Sequence, residues 1–189
     1  MHMKLRMIGI ATAVFVLSMS VACFADSKEE KKAKIQKGCD ETLQELYKAQ
    51  PSAQAAIQSA AGHAVFKNFG TNVLVVSTAS GSGIATSKSG QQTYMKMISA
   101  GAGLGIGVKD FRVVFVFENA QAFDHFLNSG WSGSGQADAA AKAGKEGGAY
   151  SGAVQVEPGV WVYQMTKNGL ALQLTLQGTK YYKDDDLNK

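Results

Sequence analysis

The stretch GAGLGIGVKDFRVVFVF, residues 101–117, carries glycine at four alternate positions and then an almost unbroken apolar run. Two readings compete for it: a loop that cradles phosphate, or a pair of strands. A dinucleotide fingerprint needs glycine at its first, third and sixth positions, between a strand and a helix. Counted from Gly101 or Gly103, the sixth position is Ile106 or Val108, and a strand pattern follows. Spacing and context both exclude the nucleotide reading. Read at period two, with Lys109-Asp110 as a tight turn, Ala102, Leu104, Ile106 and Val108 come opposite Phe117, Phe115, Val113 and Phe111 on one apolar face. Gly101, Gly103, Gly105 and Gly107 then share the other face. Glycine weakens a strand interior and marks a bend or the close approach of a backbone or ring. The glycine row therefore predicts a strongly curved sheet or a small barrel.

Further strand-like runs lie on both sides: NVLVVSTAS (72–80), QTYMKMISA (92–100), GVWVYQMT (159–166) and LALQLTLQG (170–178), separated by Gly, Asn, Ser and Asp. Asn168-Gly169 is the strongest hairpin signal in the chain. Pairing outward from it sets Trp161, Tyr163 and Met165 opposite Leu176, Leu174 and Leu172, which predicts an antiparallel sheet with one face in a core. One helix interrupts the strands. Asn119 caps it, Phe123, Phe126 and Leu127 form its apolar stripe, and Gly130 stops it.

Ahead of the strands, Ile35, Cys39, Leu43, Leu46 and Tyr47 recur at helical spacing, with Asp26 and Ser27 as caps and Glu29 and Glu30 in the first turn. Pro51 opens a second, alanine-rich helix to about Ala61. Residues 1–25 read as an export signal: Lys4 and Arg6, an uncharged apolar run, then small residues. Cys23 and Ala25 satisfy a cut before Asp26. The alternative is a lipoprotein acylated at Cys23, although Ser20-Val21-Ala22 lacks the usual large aliphatic residue. The expected localisation is exported, periplasmic or membrane-associated.

Without Lys4 and Arg6 the formal net charge falls from +4 to +2, so bulk charge does not argue for nucleic acid. Cys39 is then alone, and no internal disulfide is expected. Sites for chemistry fail one after another. AGKEGG (143–148) has Glu146 after its lysine where a phosphate loop needs Ser or Thr. His63, His125 and Cys39 have no paired metal-ligand spacing, so no cofactor or metal is expected. Asp184-Asp185-Asp186 lacks the calcium-loop pattern and reads as a solvated tail. Gly130-Trp131-Ser132-Gly133-Ser134 misses the nucleophile elbow at its last position, and His125 beside Asp124 is ordinary helix surface. The residues point to no enzyme.

Three segments in order resemble the SYLF-domain family, lipid-binding modules of bacterial exported proteins and of eukaryotic actin-patch and endocytic proteins. They are AAGHAVF (60–66), ISAGAGLGIGVKDFRVVFVFENAQAFDHFLNSGW (98–131) and VWVYQMTKNGLALQLTLQGTKYY (160–182). Lys67 stands where the family usually has proline, Gln177 replaces its usual glutamate, and VVSTASGSGIATSKSG is poorer in glycine than the usual second block. The matching pieces run over about residues 53–182; with the helical pattern over 27–61 and the strand pattern over 63–183, the expectation is a single SYLF-like domain over 26–189. The resemblance also implies binding to anionic phospholipid, partly through a basic N-terminal segment.

Lys28, Lys31, Lys32, Lys34 and Lys37 fit that segment, outnumbering Glu29 and Glu30 by three. At about 1 kcal/mol per basic residue near an anionic surface, this supplies roughly 3 kcal/mol. That is weak by itself, so apolar insertion, a groove or acylation of Cys23 must add to it. The bland alternative is the solvated face of a docking helix. The expectation is an α+β fold: a strongly curved, mainly antiparallel sheet or barrel-like core, two N-terminal helices and one short inserted helix. Its expected partner is anionic phospholipid or a membrane surface, with no nucleic acid. An envelope protein partner is the rival, and an outer-membrane barrel is disfavoured by the charged KDDDLNK end.

Overall fold

The structure is a computed structural model that describes residues 11–68, 78–100, 112–133, 142–143, 148–166, 169–170 and 179–189. Side chains of residues 11–26 are not among those described. Among the described residues, three helices, α1 (Ala11–Ala49), α2 (Ser52–Ser59) and α3 (Ala120–Ser129), accompany ten strands. These are β1 (Gly62–Asn68), β2 (Thr78–Ser87), β3 (Gln92–Ala100), β4 (Arg112–Phe117), β5 (Trp131–Ser132), β6 (Lys142–Ala143), β7 (Val154–Glu157), β8 (Val160–Thr166), β9 (Gly169–Leu170) and β10 (Thr179–Lys183). The chain divides into two compact units, Met1–Lys34 and Ile35–Lys189. Among the described residues the first unit is helix alone, and the sheet lies wholly in the second. Asp26 and Ser27 are inside α1, not at its start as their capping chemistry suggested. No helix among the described residues is long and apolar enough to cross a membrane.

The strands form one sheet in the order β5-β10-β3-β2-β1-β4-β8-β7-β6, with β9 beside β8, and every described pairing is antiparallel. The sheet is strongly curled into a half-barrel, and the fold is α+β. Ring contacts show how tightly it curls. Tyr181 on β10 and Phe115 on β4 are four strand steps apart, about 19 Å in a flat sheet, yet their ring centroids stand 4.9 Å apart. Trp131 on β5 and Glu157 on β7 are seven steps apart, about 34 Å when flat, and the indole Nε1 donates to the Glu157 Oε1 at 2.9 Å. The curl thus carries one end of the sheet round to the other.

Its concave side holds an aromatic core of Phe66, Phe115, Phe117, Trp131 and Tyr181, which α3 closes with Phe123 and Phe126. Glycine permits two close approaches. A Cβ at Gly83 would collide with the Val65 carbonyl oxygen and stand 2.5 Å from the Phe66 ring, and one at Gly62 would stand 2.6 Å from the Phe123 ring. The convex side is covered from Ile35 onward by α1 and by α2, through Ile35, Cys39, Leu46, Ala53 and Ile57 packed on Val65, Ile84, Val114, Val116, Tyr163 and Met165. The central strands are therefore buried on both faces. On β8, Val162 and Gln164 are as buried as Tyr163 and Met165, contrary to the one-sided core that the hairpin pattern predicted.

Local signals were reliable where a few residues decide. The Asn119 side chain accepts from the Ala122 amide at 2.9 Å to cap α3, and Gly130 ends it at φ +71°. The pairing expected across Lys109-Asp110 is overturned. Both edges of β4 are occupied over Arg112–Phe117, by β1 and by β8, which leaves no edge there for residues 102–108. Gly101, Gly103, Gly105 and Gly107 themselves lie outside the described residues. The second hairpin exists with its register moved by two. Met165 pairs with Leu170 and Thr166 with Gly169, so the turn precedes Gly169. Leu172, Leu174 and Leu176 lie outside the described residues.

Candidate functional site

Two pairs of opposite charges fix α1 over the sheet. Lys67 on β1 and Arg112 on β4 are cross-strand partners at one end of the convex face. Glu41 and Glu45, one helical turn apart on α1, meet them: Lys67 Nζ reaches the Glu41 Oε2 at 3.0 Å, and Arg112 bonds the Glu45 carboxylate. The hydrogen bond and charge of Lys67 hold the Glu41 carboxyl below the usual carboxylate range. On the same helix Cys39 is buried, its Sγ 3.5 Å from the Val65 carbonyl oxygen. Burial, with the Asp40 charge adding, pushes its thiol up to about 12, which makes it a packing residue and not a nucleophile.

At the other end of this helix-covered face, Leu43 and Tyr47 of α1, Ile57 of α2, His63 of β1 and Lys88 after β2 enclose a groove of about 280 Å³. Burial lowers the His63 pKa and raises that of Tyr47. The C-terminal residues are docked, in contrast to the solvated tail expected for them. Asp184 is fully buried, its Oδ1 lies 3.0 Å from Lys96 Nζ, and Leu187 is buried with it. The Asn188 Oδ1 accepts from the Tyr94 amide while its Nδ2 donates to the Tyr94 carbonyl. The hydrogen bond to Asp184 raises the Lys96 pKa.

The five lysines of the basic segment all lie on α1. Lys28, Lys31 and Lys32 follow the three- and four-residue spacing of one face, and Lys34 and Lys37 continue from Lys31 in steps of three. Lys31, Lys34 and Lys37 are exposed, Lys28 and Lys32 are half-buried, and Lys32 pairs with Glu29 at 3.4 Å. Cys23 has no described side chain. His125 is exposed on α3 with Ser129 Oγ 3.4 Å from its Nδ1. No cluster of three metal-binding side chains occurs among the described residues. The groove and the Glu41/Glu45 clamp were not foreseen. The clamp left a signal, two glutamates at i and i+4 on the face flanking Cys39 and Leu46; the groove left none, because its walls come from four separate elements.

A curled antiparallel half-barrel with α2 and the part of α1 from Ile35 onward on its convex face, and α3 against its concave core, defines a small α+β module. Residues 98–189 match the family model described as "Ysc84: Las17-binding protein actin regulator". Over 151 residues, 79% of this chain, the sequence is 36% identical to beta cell expansion factor A of Aeromonas veronii. The chain covers 56% of that protein's length. The chain belongs to the SYLF (Ysc84) family, whose members are linked to lipid binding and actin regulation and are generally not enzymes.

Proposed function

We propose that this protein is a non-enzymatic lipid-binding module of the cell envelope that associates with anionic phospholipid through the basic stretch of α1 and the β-core. The observation that carries this reading is the exposure of Lys31, Lys34 and Lys37 on a helix of a SYLF-family chain. Unpaired surface ammonium groups add about 1 kcal/mol each at an anionic membrane and are screened within a Debye length. The association is therefore weak, salt-sensitive and dependent on additional apolar contact. Export, with a mature start at Asp26 or an acylated Cys23, places the module where such membranes are. The intact mass of the protein recovered from the envelope distinguishes these two ends.

Co-sedimentation with phosphatidylglycerol and phosphatidylcholine vesicles across a salt series tests the proposal. Binding to the anionic vesicles should fall as salt rises and should drop several-fold in Lys31→Glu/Lys34→Glu/Lys37→Glu. Equal, negligible binding to both vesicle types would sink it. The family description names a protein, Las17, as what its members bind, which favours a protein-interaction component as the second reading. That reading expects capture of a defined envelope protein together with no lipid affinity.

A further inference from the structure

The groove on the helix-covered face has a donor set that its surroundings do not use. Among the described residues, the Tyr47 hydroxyl, the His63 imidazole and the Lys88 ammonium line it with no hydrogen-bond or ion-pair partner, and no acidic side chain lines it. Leu43, Ile57 and Ala60 supply an apolar wall. A phenol, a ring N–H and an ammonium can all donate to one oxygen anion, and charge-assisted bonds of this kind are the strong ones. An apolar wall beside unspent donors is the usual composition of a small-molecule site.

Size narrows the occupant. Small-molecule sites run from about 300 to 1,000 Å³, so about 280 Å³ is at the lower limit. Two acyl chains with a phosphoglycerol head do not fit; a carboxylate with the first part of one chain does. We propose that this groove binds the carboxylate end of a single-chain fatty acid, with Lys88 as its counter-charge, Tyr47 and His63 as hydrogen-bond donors, and Leu43 and Ile57 against the chain. Burial keeps His63 neutral near pH 7, so it acts as a donor through one ring N–H while Lys88 carries the charge. This goes beyond association with a membrane surface, because the ligand is a free acid taken into the fold.

The test is calorimetric titration of the full chain with laurate below its micelle concentration, in the absence of vesicles. Dodecyltrimethylammonium and dodecyl phosphate serve as matched-chain controls. Laurate should bind at one per chain and shift the His63 ring resonances, while the ammonium compound should bind at least tenfold more weakly. Lys88 is exposed on a turn, so Lys88→Ala should fold normally and weaken laurate at least tenfold; Tyr47→Phe should weaken it several-fold. Absence of laurate binding, equal affinity for the cationic control, or unchanged affinity in both variants overturns the proposal. Dodecyl phosphate bound tenfold more tightly than laurate overturns the carboxylate assignment. Vesicles take no part in this titration, so its failure leaves the membrane reading standing, and the reverse also holds.

Discussion

If the sheet curls as the ring contacts require, Phe115 and Tyr181 must be energetically coupled although four strand steps separate them. Their centroids are 4.9 Å apart at an interplanar angle of 76°, an edge-to-face pair. Such pairs contribute about 0.5–1.5 kcal/mol beyond the area they bury. The cycle is Phe115→Leu, Tyr181→Leu and the double variant, each unfolded in urea and followed by far-UV circular dichroism. Leucine keeps much of the apolar volume but leaves a void where the ring stood, so each single change should cost roughly 1–3 kcal/mol, within the 5–15 kcal/mol typical of a domain. The double variant should be less destabilised than the sum of the singles by about 1 kcal/mol. Residues more than about 7–10 Å apart with no shared partners add within roughly 0.3–0.5 kcal/mol. Phe66 touches both rings, at 6.0 Å from Phe115 and 4.7 Å from Tyr181, and enlarges the coupling. A coupling inside the additive scatter would refute the curl.

Three other outcomes are expected. Gly83→Ala should destabilise by about 1–3 kcal/mol, because neither the Val65 carbonyl nor the Phe66 ring can retreat; an unchanged thermal midpoint would contradict the packing. In a chain carrying Cys23→Ser, Cys39 should resist a thiol reagent at pH 8 in the native state and react on unfolding, since its thiol is pushed up to about 12; fast native labelling would contradict its burial. Burial raises the phenols of Tyr181 and Tyr163, the latter to about 12, above the ordinary value of 10.0. Folding then resists their ionisation, so their contribution is complete below about pH 10 and is lost as pH rises beyond it. Absorbance at 295 nm should show these two ionising together with alkaline unfolding; free titration of every tyrosine near pH 10 before any loss of structure would count against it.

What the sequence revealed follows the range of the interactions that decide each element. Asn119 and Gly130 bound α3 through contacts within four residues, and both were legible. The helical face of Ile35, Cys39 and Leu46 was legible because periodicity alone sets it. The partners of Val113, Phe115 and Phe117 were not, because β1 and β8 are each more than forty residues away in sequence, and a nearby turn offered an easier pairing. The unbroken apolar run of β4 held the correct hint, since a strand buried on both faces shows no alternation. Asp184 reads as one of three solvated acids until Lys96 is known to stand beside it, a fact no spacing encodes.

The sheet order has a further consequence. β1 and β2, made early in the chain, lie between β4 and β3, so the strands that follow attach to opposite sides of a template already laid down. The region matched by the family model begins at residue 98 and omits that template. A fragment cut there would keep β10 with β5 and β4 with β8, two pieces whose described strands share no ladder. Among the described strands, the matched region lacks the two that join its halves into one sheet.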